Sequence, residues 1–455
     1  MKRILLSCMS AILILLLATH GVCEITLNVY GKGGAGEWDN PIFKTEHPEI
    51  SWQGGDILAH GADDLVQSLT ARQPYDIYAL NYTEQNFTQI VQKGFAADLS
   101  GYAVLADTAA RLRPYLQDAL RWDDNLYGVP IQLTAPMWAY SPESFARAGL
   151  SEADVPQTYI QFLDLLAGWI AEEPDTDIQF LRGASDVRAE LAHIITKELI
   201  ARYDASDKPE SFCSPQIAEI YEKLDDLDTT KLDQFLASLE EGDGYDHPAL
   251  FTLSFDGLEV RSYEETAGFI PFSLRVTQTE RIRVPVEMRL FFIGSDSENP
   301  DAAALYLEAY LRGLDESFSI VSQSGPHAPL ENPRVLAQLK QLLQEQADLE
   351  TALKEPGTDA TAISQQLENN RLRMEKAQTR RMLVPQESID RLDRWESAFY
   401  VPSYSPLGCV TSDSYRSIQT LIDRYAARQI NSTTFLRSLD KKAATPHQLP
   451  LPPHS

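Results

Sequence analysis

Between Asp123 and Leu150 the chain reads DDNLYGVPIQLTAPMWAYSPESFARAGL, and Val129 to Tyr140 within it limits the fold more than any other stretch. The run is largely apolar, yet Pro130 and Pro136 break any helix there, because proline lacks an N–H and clashes with the preceding turn. It is also too long for one plain strand. The pattern predicts an extended crossing, entered through a turn at Tyr127-Gly128. Behind it, Ser141 offers an N-cap, Pro142 a first helical position and Glu143 an early acid. A short helix is therefore expected through Ala148, stopping at Gly149.

A length of 455 residues implies two or three domains, and 44% hydrophobic content is ample for large cores. A net charge of −27 excludes a phosphate-tracking surface, since nucleic-acid binding needs Lys and Arg to neutralise phosphates. Met1 to Cys23 has a basic start at Lys2-Arg3, an apolar run from Ala11 to Ala18 and small residues at 21 and 23, as a signal peptide has. With no other apolar segment of about 18 residues, an exported, soluble, monomeric chain is expected. After cleavage Cys23, Cys213 and Cys409 remain, without a CxxC or a Cys/His cluster, so neither a metal nor a cofactor is expected. Cys213 and Cys409 either pair or stay as buried free thiols.

Ile25 to Tyr30 alternates as a half-buried strand does and leads into Gly31-Lys32-Gly33-Gly34-Ala35-Gly36. This matches the dinucleotide pattern GxGxxG, but no long helix follows: Pro41 and Pro48 come too soon to deliver a helix dipole to a pyrophosphate. The glycines better serve a loop at the strand's carboxyl end, where backbone amides and Trp38 approach a ligand and Lys32 is available to an anionic one. A helix over Gly61 to Arg72 precedes a buried strand over Pro74 to Leu80, and Asn81-Tyr82-Thr83 then falls at a strand's carboxyl end, where open α/β sheets bind ligands. Phe87 to Lys93 is helical, and Gly94-Phe-Ala-Ala-Asp-Leu99 connects onward, which completes one α/β lobe.

Helices dominate Pro156 to Tyr203 and Pro215 to Glu241, with stripes such as Phe162, Leu165, Leu166 and Trp169. Ala249 to Phe255 is a strand ending at the turn Asp256-Gly257. Val284 to Ile293 is strand-like and runs through a polar turn with Asn299-Pro300 into a helix rich in Ala and aromatics up to Tyr310. Val335 to Lys354 and Ala360 to Arg381 are two helices broken by Glu355-Pro-Gly-Thr-Asp, hence a hairpin, zipped by Leu336, Leu339, Leu343 and Leu353 against Ile363, Leu367 and Met374. The helix Tyr415 to Ala427 follows, and a tail begins at Thr445.

Two stretches carry a resemblance. One is Tyr127-Gly-Val-Pro130, the apolar strand ending at Tyr140, the short helix, Ala148-Gly-Leu150, and Pro156 before an amphipathic helix to Ile170. The other is the strand, Asn-Pro turn and Ala-rich helix from Val284 to Tyr310. In this order of residues the chain resembles the family-1 extracellular solute-binding proteins of ABC importers, and the Gly94 to Leu99 connection and the C-terminal helices resemble theirs as well. The resemblance implies an α/β, two-lobed periplasmic-binding-protein fold with hinge crossings, into which the helical hairpin is inserted. Lobe 1 is expected over 24–133 plus 288–328, and lobe 2 over 134–287 plus 329–444. Relatives are often lipoproteins cleaved before a Cys; here His20-Gly21-Val22 departs from their pattern ahead of Cys23.

The implied function is capture of a small solute, a mono- or oligosaccharide, in an interlobe cleft and its delivery to an ABC permease. The family's cleft is lined by the loop holding Lys32 and Gly33, and an aromatic near Phe255 or Tyr263 stacks on a sugar ring. Sugars need flat apolar faces and polar partners for hydroxyls, which Trp38, Tyr82, Trp138 and Phe255 supply with Asn81, Gln132 and Thr134. Each of these aromatics is also a plausible core residue, and alternation along the crossing decides which way Trp138 points. The rivals are a secreted carbohydrate hydrolase, which needs only two suitably spaced carboxylates, and a sensor or scaffold whose hairpin contacts a membrane receptor. No GxSxG or HExxH signature favours an enzyme.

Overall fold

The computed structural model describes residues 25–31, 38–54, 69, 75–82, 87–172, 178–184, 186–206, 209–238, 247–261, 268–355, 359–402 and 413–443. The expected leader, Lys32, Gly33, the helix expected over 61–72 apart from Leu69, Tyr263, Cys409 and the expected tail lie outside them. The first elements are β1 (Ile25–Tyr30), α1 (Pro41–Glu46), β2 (Ile50–Gly54), β3 (Ile77–Asn81), α2 (Phe87–Gln92), α3 (Ala103–Ala110) and α4 (Pro114–Leu120). Next come β4 (Arg121–Trp122), β5 (Asn125–Leu126), β6 (Val129–Thr134), β7 (Pro136–Tyr140), α5 (Pro142–Arg147), α6 (Tyr159–Ala171), β8 (Gln179–Leu181), α7 (Val187–Asp204), α8 (Pro215–Asp226) and α9 (Thr230–Ser238). The second half holds β9 (Ala249–Asp256), β10 (Ile270–Phe272), β11 (Val284–Pro285), β12 (Glu287–Ile293), α10 (Pro300–Gly313), α11 (Glu316–Ser322) and β13 (Leu330–Glu331). It ends with α12 (Pro333–Ala352), α13 (Ala360–Thr379), β14 (Met382–Val384), α14 (Gln386–Trp395), β15 (Phe399–Tyr400), α15 (Asp413–Ala426) and α16 (Ser432–Ala443).

Two compact units share the chain. Unit 1 is Met1–Leu112, Gln117–Gln132 and Arg289–Leu314; unit 2 is Arg113–Leu116, Leu133–Met288 and Asp315–Ser455. Residues 113–116 and 315–328, expected in lobe 1, thus pack with unit 2. Arg113 shows why. Its side chain is 2% exposed, pairs with Asp393 at 3.1 Å and Glu396 at 2.9 Å, and donates from Nε to the Val321 carbonyl and from Nη2 to that of Ile320.

Unit 1 is built on a five-stranded sheet in the order β2-β1-β3-β12-β6. β1 runs parallel to β2 and β3, and β12 returns antiparallel to β3, with Arg289 opposite Asn81 and Leu290 opposite Leu80. Parallel strands covered on both faces read as apolar runs, and Ile77 to Leu80 are all buried. Asp76, 1% exposed, ties the start of β3 to its neighbours by accepting from the Asn28 amide at 2.8 Å, the Ser297 hydroxyl at 2.5 Å and the Asn299 amide at 3.2 Å. β4 and β5 meet at Asp123-Asp124, both at positive φ, the two-residue turn whose twist suits a hairpin.

Unit 2 contains a four-stranded sheet in the order β10-β7-β9-β8 over a large apolar cluster that includes Phe162, Leu191, Ile220, Phe251 and Phe435. The expected crossing resolves into β6 and β7 with a break at Ala135. There Asp256 Oδ1 accepts from the Ala135 amide at 2.9 Å, and the Gly257 amide donates to the Ala135 carbonyl at 2.8 Å. A Cβ on Gly257 would lie 2.1 Å from the Met137 sulfur, so any larger residue there has to displace the Met137 side chain. The Ser141 cap forms as expected, its hydroxyl accepting from the Ser144 amide, and Gly149 ends the turn at φ 74°. The sequence pattern, dominated by helices from Pro156 to Tyr203, does not single out β8, a three-residue buried strand parallel to β9. So short an apolar run cannot be told from a helix segment by periodicity.

The hairpin forms from α12 and α13, with β13 and β14 paired at its base. Its seam differs from the expected one by a position. Val335, Leu339, Leu342 and Ala377 are its buried cluster with Met374 against them, whereas Leu343 is 60% exposed and Leu353 is 38% exposed. The buried or half-buried positions 335, 339, 342, 346 and 349 follow alternate steps of four and three, as do 363, 367, 370, 374 and 377. Asn370 occupies one seam position and donates to the Leu342 carbonyl at 2.9 Å, which fixes the register of the two helices.

Arg113→Met leaves two half-exposed carboxylates and two carbonyls without their donor. The variant is expected to lose about 2–3 kcal/mol in urea unfolding at neutral pH; an unchanged midpoint would show that the 113–116 segment is held by other contacts.

Candidate functional site

The expected binding residues fall on both units. In unit 1, β3 carries Asn81 at its carboxyl end, exposed and opposite Arg289 on β12, which is half-buried. Gln132 is exposed near the end of β6, the strand that borders β12. Asn81, Gln132 and Arg289 therefore lie on strands of one sheet, and Arg289 is a residue that sequence reasoning did not single out. Its only signal is a charge within the apolar run of β12.

Two aromatics expected at the site serve packing instead. Trp38 is 1% exposed, stacked on Phe291 with centroids 5.2 Å apart and set against Tyr306, whose hydroxyl donates to the Trp38 carbonyl at 2.9 Å. That leaves neither ring face open to a sugar. Tyr82 is 7% exposed, packs on Phe87 and shares a hydrogen bond with the Thr88 hydroxyl at 3.2 Å; burial raises its phenol pKa.

In unit 2, Thr134 is half-buried and Phe255 is half-buried against Ala139, Ala249 and Phe269. Trp138 is 2% exposed and points inward, its ring edge-on to Phe162 and its indole N–H donating to Glu198 Oε1 at 2.7 Å. The Tyr159 hydroxyl donates to the other carboxylate oxygen. One turn on, Arg202 reaches both oxygens of Glu280 at 2.7 Å and donates to the Leu274 carbonyl. A cavity of about 30 Å³ opens beside this cluster, lined by Trp138, Glu198, Arg202, Phe272, Ser273 and Tyr400. Glu198 keeps some exposed surface, yet its carboxyl lies among Trp138, Tyr159 and Arg202, and loss of hydration raises its pKa although those three groups pull the other way.

Glu198 and Arg202 were not among the sequence-derived candidates. A signal existed: Arg188, Leu191, Ile195, Glu198 and Arg202 form one stripe of α7 at steps of three and four, so charged residues occupy inward positions. Arg188 is the third such charge, donating to the Tyr425 and Ala426 carbonyls at 2.8 and 2.6 Å and pairing with Asp225 at 2.9 Å. Cys213, expected buried if unpaired, is an exposed free thiol. Among the described residues no cluster of His, Cys, Asp and Glu is suited to a metal ion, and no helix is long and apolar enough to cross a membrane.

No family model and no curated protein matches the chain. Solved structures do. An ABC substrate-binding protein from Listeria monocytogenes, described in complex with cycloalternan, is similar at a TM-score of 0.53 and 12% identity over 92% of this chain and 97% of that one. Maltose-bound MalE3 of T. maritima matches at 0.53 and 14% identity, over 92% and 98%. A sugar transporter from Rhizobium etli, described in an open conformation, matches at 0.53 and 14% identity, over 92% and 99%. At these identities the likeness concerns the fold: the chain has the two-lobed α/β architecture of periplasmic binding proteins, as its two strand-to-strand crossings imply.

A carboxyl whose folded pKa is raised contributes stability at acid pH that is lost as the pH climbs through the raised value. Glu198→Gln, which keeps an acceptor for the indole without the charge, is therefore expected to gain on the parent in urea unfolding as pH rises from about 5 to 8. Parallel stability profiles would show that Glu198 bears no such penalty.

Proposed function

We propose that the chain is an exported solute-binding protein that captures a small carbohydrate and hands it to an ABC permease in the membrane. The observation that carries this reading is the match of fold over 92% of the chain to structures described as an ABC substrate-binding protein, a sugar transporter and a maltose-bound protein. The leader at Met1 to Cys23 supports export. Asn81 and Gln132, exposed on the unit 1 sheet, supply amides suited to hydroxyls, and Thr134 and Phe255, both half-buried, supply a hydroxyl and an aromatic face in unit 2. With Trp38 and Trp138 committed to packing, polar groups bear more of the recognition than the aromatic content of the sequence implies. Lys32, Gly33 and Tyr263 remain part of the proposed set.

A protein of this kind works by differential affinity: a solute shifts the chain toward whichever arrangement it binds best. Chain crossings at 132–133, 288–289 and 314–315, with the short excursion at 113–116, connect the units without a long linker and are the covalent routes for conformational coupling.

A thermal-shift screen of residues 24–455 against mono- and oligosaccharides, amino acids and peptides tests the reading. A ligand at 100 times its dissociation constant is expected to add about 2.7 kcal/mol to the folded state. Asn81→Ala or Gln132→Ala is expected to weaken the responding sugar about tenfold while leaving the ligand-free midpoint unchanged. Shifts with amino acids or peptides alone would overturn the carbohydrate assignment, and consumption of the sugar would turn it into a hydrolase.

A further inference from the structure

For its longest unbroken stretch in the middle of the sequence the chain enters unit 2 at Leu133 and leaves it at Met288, both times along a strand. Both passages are tied to the last two turns of one helix. At the C-terminal end of α7, Glu198 accepts from Trp138 on β7, the strand that continues the first passage. The carbonyl of Ala205, the residue that caps α7, accepts from Arg283 immediately before β11, on the second passage. The Ala201 carbonyl accepts from the Tyr400 hydroxyl at 3.2 Å, and Tyr400 lies on β15, which pairs with β11 and whose carbonyl receives the Val286 amide at 2.8 Å. Arg283 also stands 4.5 Å over the Tyr400 ring. Arg202 completes the set, gripping Leu274 and Glu280 in the segment between β10 and β11.

The cavity of about 30 Å³ lies among these contacts, bounded by Met137, Trp138, Arg202, Phe272, Arg283 and Tyr400. Close-packed interiors resist small displacements, so a void at this place gives the strands beside it room to shift.

We propose that the last two turns of α7 are a latch joining the strand that enters unit 2 to the strand that leaves it, with Glu198 and Arg202 as its positioning residues. Loss of either residue's contact then loosens both passages together. The bearing on solute capture rests on the reading above: a latch of this kind sets how easily a solute moves the crossings.

Hydrogen exchange of the full chain, followed by mass spectrometry without ligand, tests the latch. In Trp138→Phe, which removes only the indole donor, amides of 283–288 are expected to exchange about tenfold faster along with those of 136–140. In Arg202→Leu, the 136–140 amides are expected to quicken along with 283–288. Glu198→Gln, which keeps the acceptor, is expected to stay within about twofold of the parent, while Glu198→Ala quickens both segments. Amides of α8 and α16 are expected to hold. Quickening confined to the strand whose own contact was removed overturns the proposal, and so does quickening that spreads equally to α8 and α16, since it reports only lower global stability. Glu198→Gln matching Glu198→Ala overturns the part assigned to Glu198. A negative result leaves the solute-binding reading standing, and a failed sugar screen leaves the latch standing.

Discussion

Ala135 is held through both of its backbone polar groups, its amide by the Asp256 carboxylate and its carbonyl by the Gly257 amide. Much of the architecture depends on this grip. The strand before it belongs to one sheet and the strand after it to another, so the residue between them decides the register of each. In a strand a slip of one residue sends every side chain to the opposite face. Such a slip would turn Met137 and Trp138 away from their places, and with them the edge-on packing of Trp138 on Phe162 in the unit 2 core. Burial raises the pKa of the Asp256 carboxyl that makes the grip, while the Ala135 and Leu258 amides pull it down. Two backbone donors at a buried acid compensate much of the hydration it has given up.

Unit 2 buries charge in a consistent way. Arg113, Arg188 and Arg202 each combine a carboxylate with backbone carbonyls. A guanidinium presents five donors in a rigid fork, so a carboxylate alone leaves donors over; carbonyls at the ends of α11 and α15 take them up for Arg113 and Arg188, and that of Leu274 does so for Arg202. The pairs carry little net stability compared with apolar side chains of similar volume, but removing one partner leaves the other stranded. What they supply is placement: Arg113 holds a four-residue excursion of the chain, Arg188 holds the end of α15, and Arg202 holds the approach to β11.

Sequence patterns revealed the crossing, its capped helix, the returning strand and the hairpin, because each depends on local chemistry: a proline at a first helical position, a serine cap, a break at Pro-Gly. They did not reveal β8, whose existence depends on a partner strand rather than on its own three residues. They did not settle Trp38 or Trp138 either, since an aromatic beside a glycine-rich loop or on a crossing strand has the same composition whether its ring meets Phe291 or a ligand. In the hairpin the leucines at 342 and 343 are adjacent, and only the seam on the facing helix, with Asn370 at an inward position, chooses between them. Glu198 went unnoticed for a related reason. One acid among the 66 acidic residues carries no mark in the sequence except its phase on α7.

At the base of the hairpin Glu331 pairs across with Met382, and the Asn332 amide donates to the Arg381 carbonyl. The two ends of the insertion are thus neighbours in one small ladder, closing a loop that begins and finishes at the same place. An element with that boundary is a closed module: it can be lengthened by whole heptads or removed without re-threading the chain around it.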